Sequence, residues 1–385
     1  MPEYQGPIKS KLPKAGTTIF TIMSGLAAET GAINLSQGFP GFAVSEELIS
    51  LYHKAMREGH NQYAPMPGLL SLRQRIAEKM DRLYSRKYNE DTEITITAGG
   101  TQALYSAITA LVNPGDEVIV IEPAYDSYIP AILLAGGVPV PFPLRPPDYG
   151  IEWERFKALL TPRTRMIMIN SPQNPTGTVL TASDMQKLEA LLDGTDILLL
   201  SDEVYEHILF DGQRHESAAR YEGLATRSLI VFSFGKTYHA TGWKMGYILG
   251  PTALMKEFRK VHQFTVFSVN TPLQHALAAY MQNEKHYSGL PGFYQKKRDR
   301  FRELLKTSRF SILPCSGSYF QLLGYSEISD EKDTDYAVRL TRENGVASIP
   351  VSVFYNTPED HKLLRFCFAK EDSMLEEAAA RLCRI

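Results

Sequence analysis

Cysteine is scarce in this chain. Its 385 residues include three, Cys315, Cys367 and Cys383. An odd, sparse set without CxxC spacing argues against a disulfide framework and against a zinc site, so no metal centre is expected, and the thiols are read as reduced in a cytoplasmic protein. Excess charge is missing as well: Lys+Arg number 41 against 43 Asp+Glu, a formal net charge of −2. That balance favours neither nucleic acid nor an anionic membrane surface as partner. No apolar run approaches the ~18 residues that a membrane span needs. The opening stretch MPEYQGPIKSKLPK lacks an apolar signal-peptide core. Low-complexity tracts and repeats of fixed period are absent. No G-x-G-x-x-G follows the first strand, and no acidic residue stands where a ribose needs one, which argues against a dinucleotide-binding oxidoreductase.

What is present is ordinary globular composition, 44% hydrophobic and 22% charged, in a chain long enough for a large domain with a smaller one packed on it. Residues 1–18, rich in Pro, Gly and Lys, read as an extended arm. A short helix is expected over Ile19–Glu29, a strand at Ile33–Leu35, and helices over 45–59 and Leu69–Tyr84. Apolar strands then alternate with helices. The strands are Ile94–Thr97, Glu117–Ile121, Val138–Phe142, Arg165–Ile169, Ile197–Leu200, Ser228–Phe232 and Gly246–Leu249. This alternation predicts an α/β fold with a mostly parallel sheet covered by helices on both faces. After about residue 270 the pattern changes to two helices, short strands (Phe310–Leu313, Ser318–Leu323, Val346–Ile349, Leu363–Phe368) and further helices, a smaller α+β domain. The expected division is 1–42 as an arm packing with the small domain, 43–280 as the large domain and 281–385 as the small one.

Chemistry-bearing residues sit at predicted strand ends. The run Leu229–Phe232 leads into Ser233-Phe234-Gly235-Lys236, which presents a lysine at the edge where open α/β sheets bind ligands. Desolvation there lowers the lysine's pKa and leaves an amine able to form a Schiff base, although a plain surface lysine is the alternative. Gly99-Gly100-Thr101 lies between a strand and a helix, where unpaired N–H groups suit a phosphate; simple turn geometry is the other explanation. Asn174-Pro175-Thr176-Gly177 is either a β-turn or a presented amide. Asp202, in Ser201-Asp202-Glu203-Val204-Tyr205, ends a buried strand and needs a cationic partner such as a protonated pyridine nitrogen, unless it caps a helix. Tyr205, one helical step later, is placed to reach a phenolate. Arg365, in an apolar strand, suits bidentate carboxylate recognition or a structural ion pair. Tyr125 follows another strand end and can stack on an aromatic ring.

Taken together, these residues resemble the fold-type-I pyridoxal-5′-phosphate (PLP) aminotransferases of class I/II, most closely the methionine and kynurenine aminotransferases. The stretches Asn34–Pro40, Asn61–Gly68, Asp202–His207 and Ser233–Gly246 carry the closer match, and the likeness spans nearly the whole chain in order. It implies the PLP-dependent transferase fold with a seven-stranded large-domain sheet, and it implies roles for single residues. Lys236 matches the Schiff-base lysine and Asp202 the partner of the pyridine nitrogen. Tyr205 and Asn174 match the residues that bond the ring's O3′, and Tyr125 the aromatic that stacks on it. Gly100, Thr101, Ser233 and Lys244 match the phosphate cup. Tyr63 matches the tyrosine that completes the neighbouring subunit's site, which implies a homodimer. Arg365, Asn174 and the backbone of Gly38 match the α-carboxylate site. Lys244 stands where the family usually has Arg, keeping the charge but losing the fork, and His239 replaces a small residue, either near the cofactor's rim or in packing.

The implied reaction is ping-pong transamination between an L-amino acid and a 2-oxo acid. Without a second arginine for a dicarboxylate, and with Phe20, Phe39, Tyr63, Tyr125 and Phe354 as candidate apolar walls, the expected donors are methionine, aromatic residues or glutamine. A carbon–sulfur β-lyase would use the same cofactor residues. A non-catalytic PLP-binding effector domain would call for a DNA-binding segment, and neither a helix-turn-helix nor a basic patch is seen.

Overall fold

The computed structural model describes residues 2, 4–357 and 359–385. In chain order the strands are β1 (Ile33–Asn34), β2 (Ile94–Thr97), β3 (Glu117–Glu122), β4 (Val138–Pro143), β5 (Thr164–Asn170), β6 (Leu198–Asp202), β7 (Ser228–Ser233), β8 (Gly246–Leu249), β9 (Ser311–Ile312), β10 (Phe320–Gly324), β11 (Val346–Ala347), β12 (Ile349–Pro350) and β13 (Leu363–Cys367). Seven of them form one sheet in the order β2-β8-β7-β6-β5-β3-β4. Only β8 runs antiparallel to its neighbours.

The period-two geometry of a strand divides this sheet's side chains between two cores. Val118, Val120, Met168, Leu200 and Val231 face the helices Gly100–Leu111 and Thr252–Thr265. Ile119, Ile167, Leu199, Ile230 and Phe232 face the other way, toward the helices Leu70–Tyr84 and Ala182–Leu192. Each fully buried aliphatic chain contributes about 1.5–3 kcal/mol, and both faces are filled, so the sheet is a rigid platform for whatever its strand ends carry. The helix Thr252–Thr265 has no counterpart among the expected elements. Its buried Met255, Phe258 and His262 lie three and four residues apart on one stripe, the signal that would have revealed it.

A second, antiparallel sheet has the order β12-β13-β10-β9. The expected single strand Val346–Ile349 is two: β11 pairs with β1 and β12 with β13, changing partner at Ser348. β1 therefore joins elements more than 300 positions away, with Ile33 opposite Val346. The amide of Cys367 also donates to the Leu35 carbonyl at 2.8 Å. These bonds fix the chain just before Gln37-Gly38-Phe39 against β13. The helix Ile19–Thr30 before it is capped by the Thr18 side chain and stopped by Gly31 at φ 64°. Among the described residues no helix is long and apolar enough to cross a membrane.

Candidate active site

Three adjacent parallel strands, β5, β6 and β7, end at Asn170, Asp202 and Ser233. The register sets Asn170 beside Asp202. Asp202 follows Leu200 by two residues and so projects toward the same face, where the helix Tyr128–Leu134 begins. The Tyr128 hydroxyl donates to its Oδ2 at 2.5 Å and the Val204 amide to its Oδ1 at 3.3 Å. The carboxyl is 4% exposed. Burial pushes its pKa up to about 6 despite those bonds. No helix follows it: residues 204–207 form a turn, so the capping alternative fails, and the turn instead brings Tyr205 back to the cavity.

Lys236 lies on the single turn Phe234–Thr237. Its Nζ donates to the Gly38 carbonyl at 3.0 Å and to the Tyr319 hydroxyl at 2.9 Å. Burial brings its pKa down to about 8. Gly38 thus turns its carbonyl, an acceptor, toward the lysine, and only its N–H remains to serve an anion.

The helix Gly100–Leu111 starts after Gly99, whose φ of 82° suits glycine. A Cβ at Gly99 would lie 3.6 Å from Lys244 Nζ, so an ammonium sits beside the free amides of that helix start. The Thr101 hydroxyl is 3.3 Å from the Tyr125 hydroxyl, and Ser233 lines the same space.

On the far side Arg365, 1% exposed, projects from β13. One guanidinium nitrogen donates to Asn174 Oδ1 at 2.7 Å, another to the Ser36 carbonyl at 2.8 Å. Its Nε is buried without a hydrogen-bond partner among the described residues. The rings of Phe320, Phe20 and Phe354 lie 4.1, 5.2 and 5.3 Å from its central carbon. With Oδ1 committed to the arginine, the Asn174 amide N–H groups are left to donate.

These groups line one cavity of about 360 Å³. Every site residue expected from the sequence lines it except Tyr63 and the candidate wall Phe354. The Tyr63 side chain is 81% exposed and packs edge-on against Phe267. Phe354 is set back from the lining, behind the arginine. His239 is not at the rim; its ring packs among Phe42, Phe293 and Tyr294, and burial lowers its pKa to about 4.

The family described as aminotransferase class I and II matches residues 30–382. This chain belongs to that family. Over 97% of its length, and 97% of the other's, it is 51% identical to the methionine aminotransferase of Escherichia coli K12. It is 32% identical to mouse kynurenine–oxoglutarate transaminase 1, with 93% of each chain covered. The crystal structure of YbdL from Escherichia coli, for which a methionine aminotransferase function is described, superposes with a TM-score of 0.97 at 50% identity, covering 98% of this chain and 100% of that one. An N-succinyldiaminopimelate aminotransferase structure from Mycobacterium tuberculosis gives 0.95 at 35% identity, with coverage of 98% and 100%. Three polar residues at or beside this cavity escaped the sequence reading. The Asn170 side chain donates to the backbone carbonyl of Asp202 at 2.9 Å and accepts from the backbone N–H of Asn174 at 2.9 Å. Tyr128 holds Asp202, and Tyr319 holds Lys236. Tyr128, three residues after Tyr125 at a helix start, carried a local signal; Tyr319, 83 residues from its lysine, carried none.

Proposed function

We propose that this aminotransferase is PLP-dependent and that it transaminates methionine, aromatic amino acids or glutamine against a 2-oxo acid. The observation that carries the reading is the meeting of Lys236, Asp202, Arg365 and the Gly99–Thr101 helix start around one cavity. The cavity's chemistry fits PLP. Asp202 offers a carboxylate suited to a protonated ring nitrogen. Lys236 offers an amine partly freed of its proton at neutral pH. Gly100, Thr101, Ser233 and Lys244 offer the donors that a phosphate takes. Tyr125 offers a ring face, and Tyr205 and Asn174 offer donors for a phenolic oxygen. Bound there, PLP supplies an electron sink for the carbon that bears the amino group.

The chain's own residues do the rest. Arg365 Nε, the Asn174 amide and the Gly38 N–H receive the substrate's α-carboxylate. Lys236 would take the proton from the substrate Cα and hold it for return on the same face, its burial-lowered pKa suiting both tasks. Asp202 stays ionised beside the cationic ring nitrogen, each charge compensating the other's desolvation. Among the described residues Arg365 is the one arginine lining the cavity, and Phe20, Phe39 and Phe320 give it apolar walls. A dicarboxylate side chain would find no guanidinium there. The high identity to a methionine aminotransferase supports the same preference.

The domain division 1–42, 43–280 and 281–385 is part of this proposal, as is a homodimer in which Tyr63 reaches the neighbour's cofactor phosphate. A donor-by-acceptor panel on PLP-loaded protein tests the reading. Methionine, an aromatic residue or glutamine as best donor by kcat/KM supports it; aspartate as best donor, or turnover without an added oxo acid, overturns it.

A further inference from the structure

Tyr319 is fully buried, behind the cavity wall, and the proposed reaction gives it no role beyond its contact with Lys236. Its hydroxyl makes two bonds of defined direction. It donates its single proton to the Gly38 carbonyl at 2.7 Å. It therefore turns a lone pair to Lys236 Nζ at 2.9 Å, while the same Gly38 carbonyl accepts a second proton from Nζ at 3.0 Å. The three groups close a triangle. The Tyr319 ring is held edge-on against Tyr205 and Phe320, with centroids 5.1 and 4.9 Å away. Only glycine fits at position 38, because a Cβ there would meet Phe320 Cζ at 2.7 Å. Burial raises the Tyr319 phenol well above its usual range, so it stays protonated and keeps this polarity.

We propose that Tyr319, with the Gly38 carbonyl, is a positioning pair that holds the Lys236 amine whenever that amine is not covalently engaged, and that Tyr319 sets its basicity. This rests on Lys236 being the reactive lysine of the reading above. Both partners are acceptors toward Nζ, so both favour the ammonium over the neutral amine. The other charged or titratable groups facing Nζ are Asp202 from β6, Tyr205 from the turn after it, whose ring centroid is 5.5 Å away, Arg365 and Cys367 from β13, and Lys244. None of them is hydrogen-bonded to it. Burial works against the ammonium, and the balance leaves the amine titrating near neutrality. Removing the Tyr319 oxygen removes one acceptor and tips that balance toward the neutral amine.

The test is brief acetylation of cofactor-free protein with acetic anhydride across a pH series, reading Lys236 modification by mass spectrometry. Native protein is expected to label with a midpoint near 8. In Tyr319→Phe the midpoint is expected to fall by about one to two units, the size of one charge-assisted hydrogen bond. In loaded enzyme the kcat profile shifts the same way while KM for the amino acid holds, because Arg365 is untouched. A midpoint that stays in place or rises makes Tyr319 a packing residue and overturns the proposal. A second measurement does not depend on how the variant folds. In a crystal structure of the cofactor-free native chain, Nζ within hydrogen-bond reach of the Tyr319 hydroxyl supports the pair, and an amine turned away overturns it. The labelling midpoint and the crystal structure need no turnover, so they report on the pair separately from the donor panel, whose failure would sink the functional reading.

Discussion

Asp202 shows at one residue how function works against stability. Its carboxyl titrates near 6 rather than near the 3.8 of an exposed aspartate. The folded chain therefore binds a proton that the unfolded chain has released between those values. Stability gained from that proton is lost as pH rises through 6, and a charged Asp202 at neutral pH costs up to about 3 kcal/mol in cofactor-free protein. Asp202→Asn is expected to raise the melting temperature of cofactor-free protein at neutral pH while lowering kcat by about 10²-fold or more; scanning calorimetry and steady-state kinetics on the same preparation read both signs. Lys236→Ala is expected to abolish turnover and the visible absorbance of covalently held cofactor together. Lys244, at φ 53° beside Gly99, is a point charge where a fork is usual. Lys244→Arg is expected to slow cofactor release several-fold in a dilution assay, because a guanidinium can hold the anion with two bonds. Most such residues could be nominated from the sequence because each stood at the end of an apolar run. Asn170 also ended such a run and was passed over; Tyr319 could not be nominated, because its meaning lies in Gly38 and Lys236, partners from distant segments.

At the scale of elements, the proposed anion cradle depends on close backbone approach. A Cβ at Gly246 would stand 2.6 Å from the Phe232 carbonyl and 3.2 Å from the Gly100 nitrogen. Those atoms belong to β7 and to the helix start and cannot rotate away. Gly246→Ala is expected to destabilise the protein by about 1–3 kcal/mol in denaturant titration and to weaken cofactor affinity, since it pushes the strand off the cradle. The alternation of β2 to β8 with their helices was legible because strands buried on both faces read as apolar runs. The small antiparallel sheet was less so. A run such as Val346–Pro350 does not record that it changes partner at Ser348. Its apolar character suits either pairing, and the choice was made by β1 arriving from the other end of the chain.

For the whole molecule, the unexplained surface is aromatic. Tyr63 is 81% and Phe264 87% exposed, and Phe267 packs on Tyr63. Water is a poor environment for rings of that size, and a second copy of the chain is the partner the proposed reaction calls for. The protein is expected to sediment as a dimer. Co-expression of Tyr63→Ala with Lys236→Ala chains is expected to restore part of the activity that neither shows alone, because one site of the mixed dimer then holds both native residues. No recovery in separated mixed dimers would show that Tyr63 serves its own chain or none.

By itself the sequence determined the α/β platform and the chemical inventory at its edge. Hydrophobic periodicity and residue type are local properties that a strand or helix expresses wherever it is placed. Tertiary structure alone decided how that inventory works. It put the Gly38 carbonyl, rather than its amide, against the lysine. It gave Asp202 a tyrosine instead of a helix to cap, drew His239 into an aromatic cluster, and left Tyr63 facing outward. In each case the outcome turned on hydrogen-bond direction and packing between segments far apart in the chain, which no local pattern encodes.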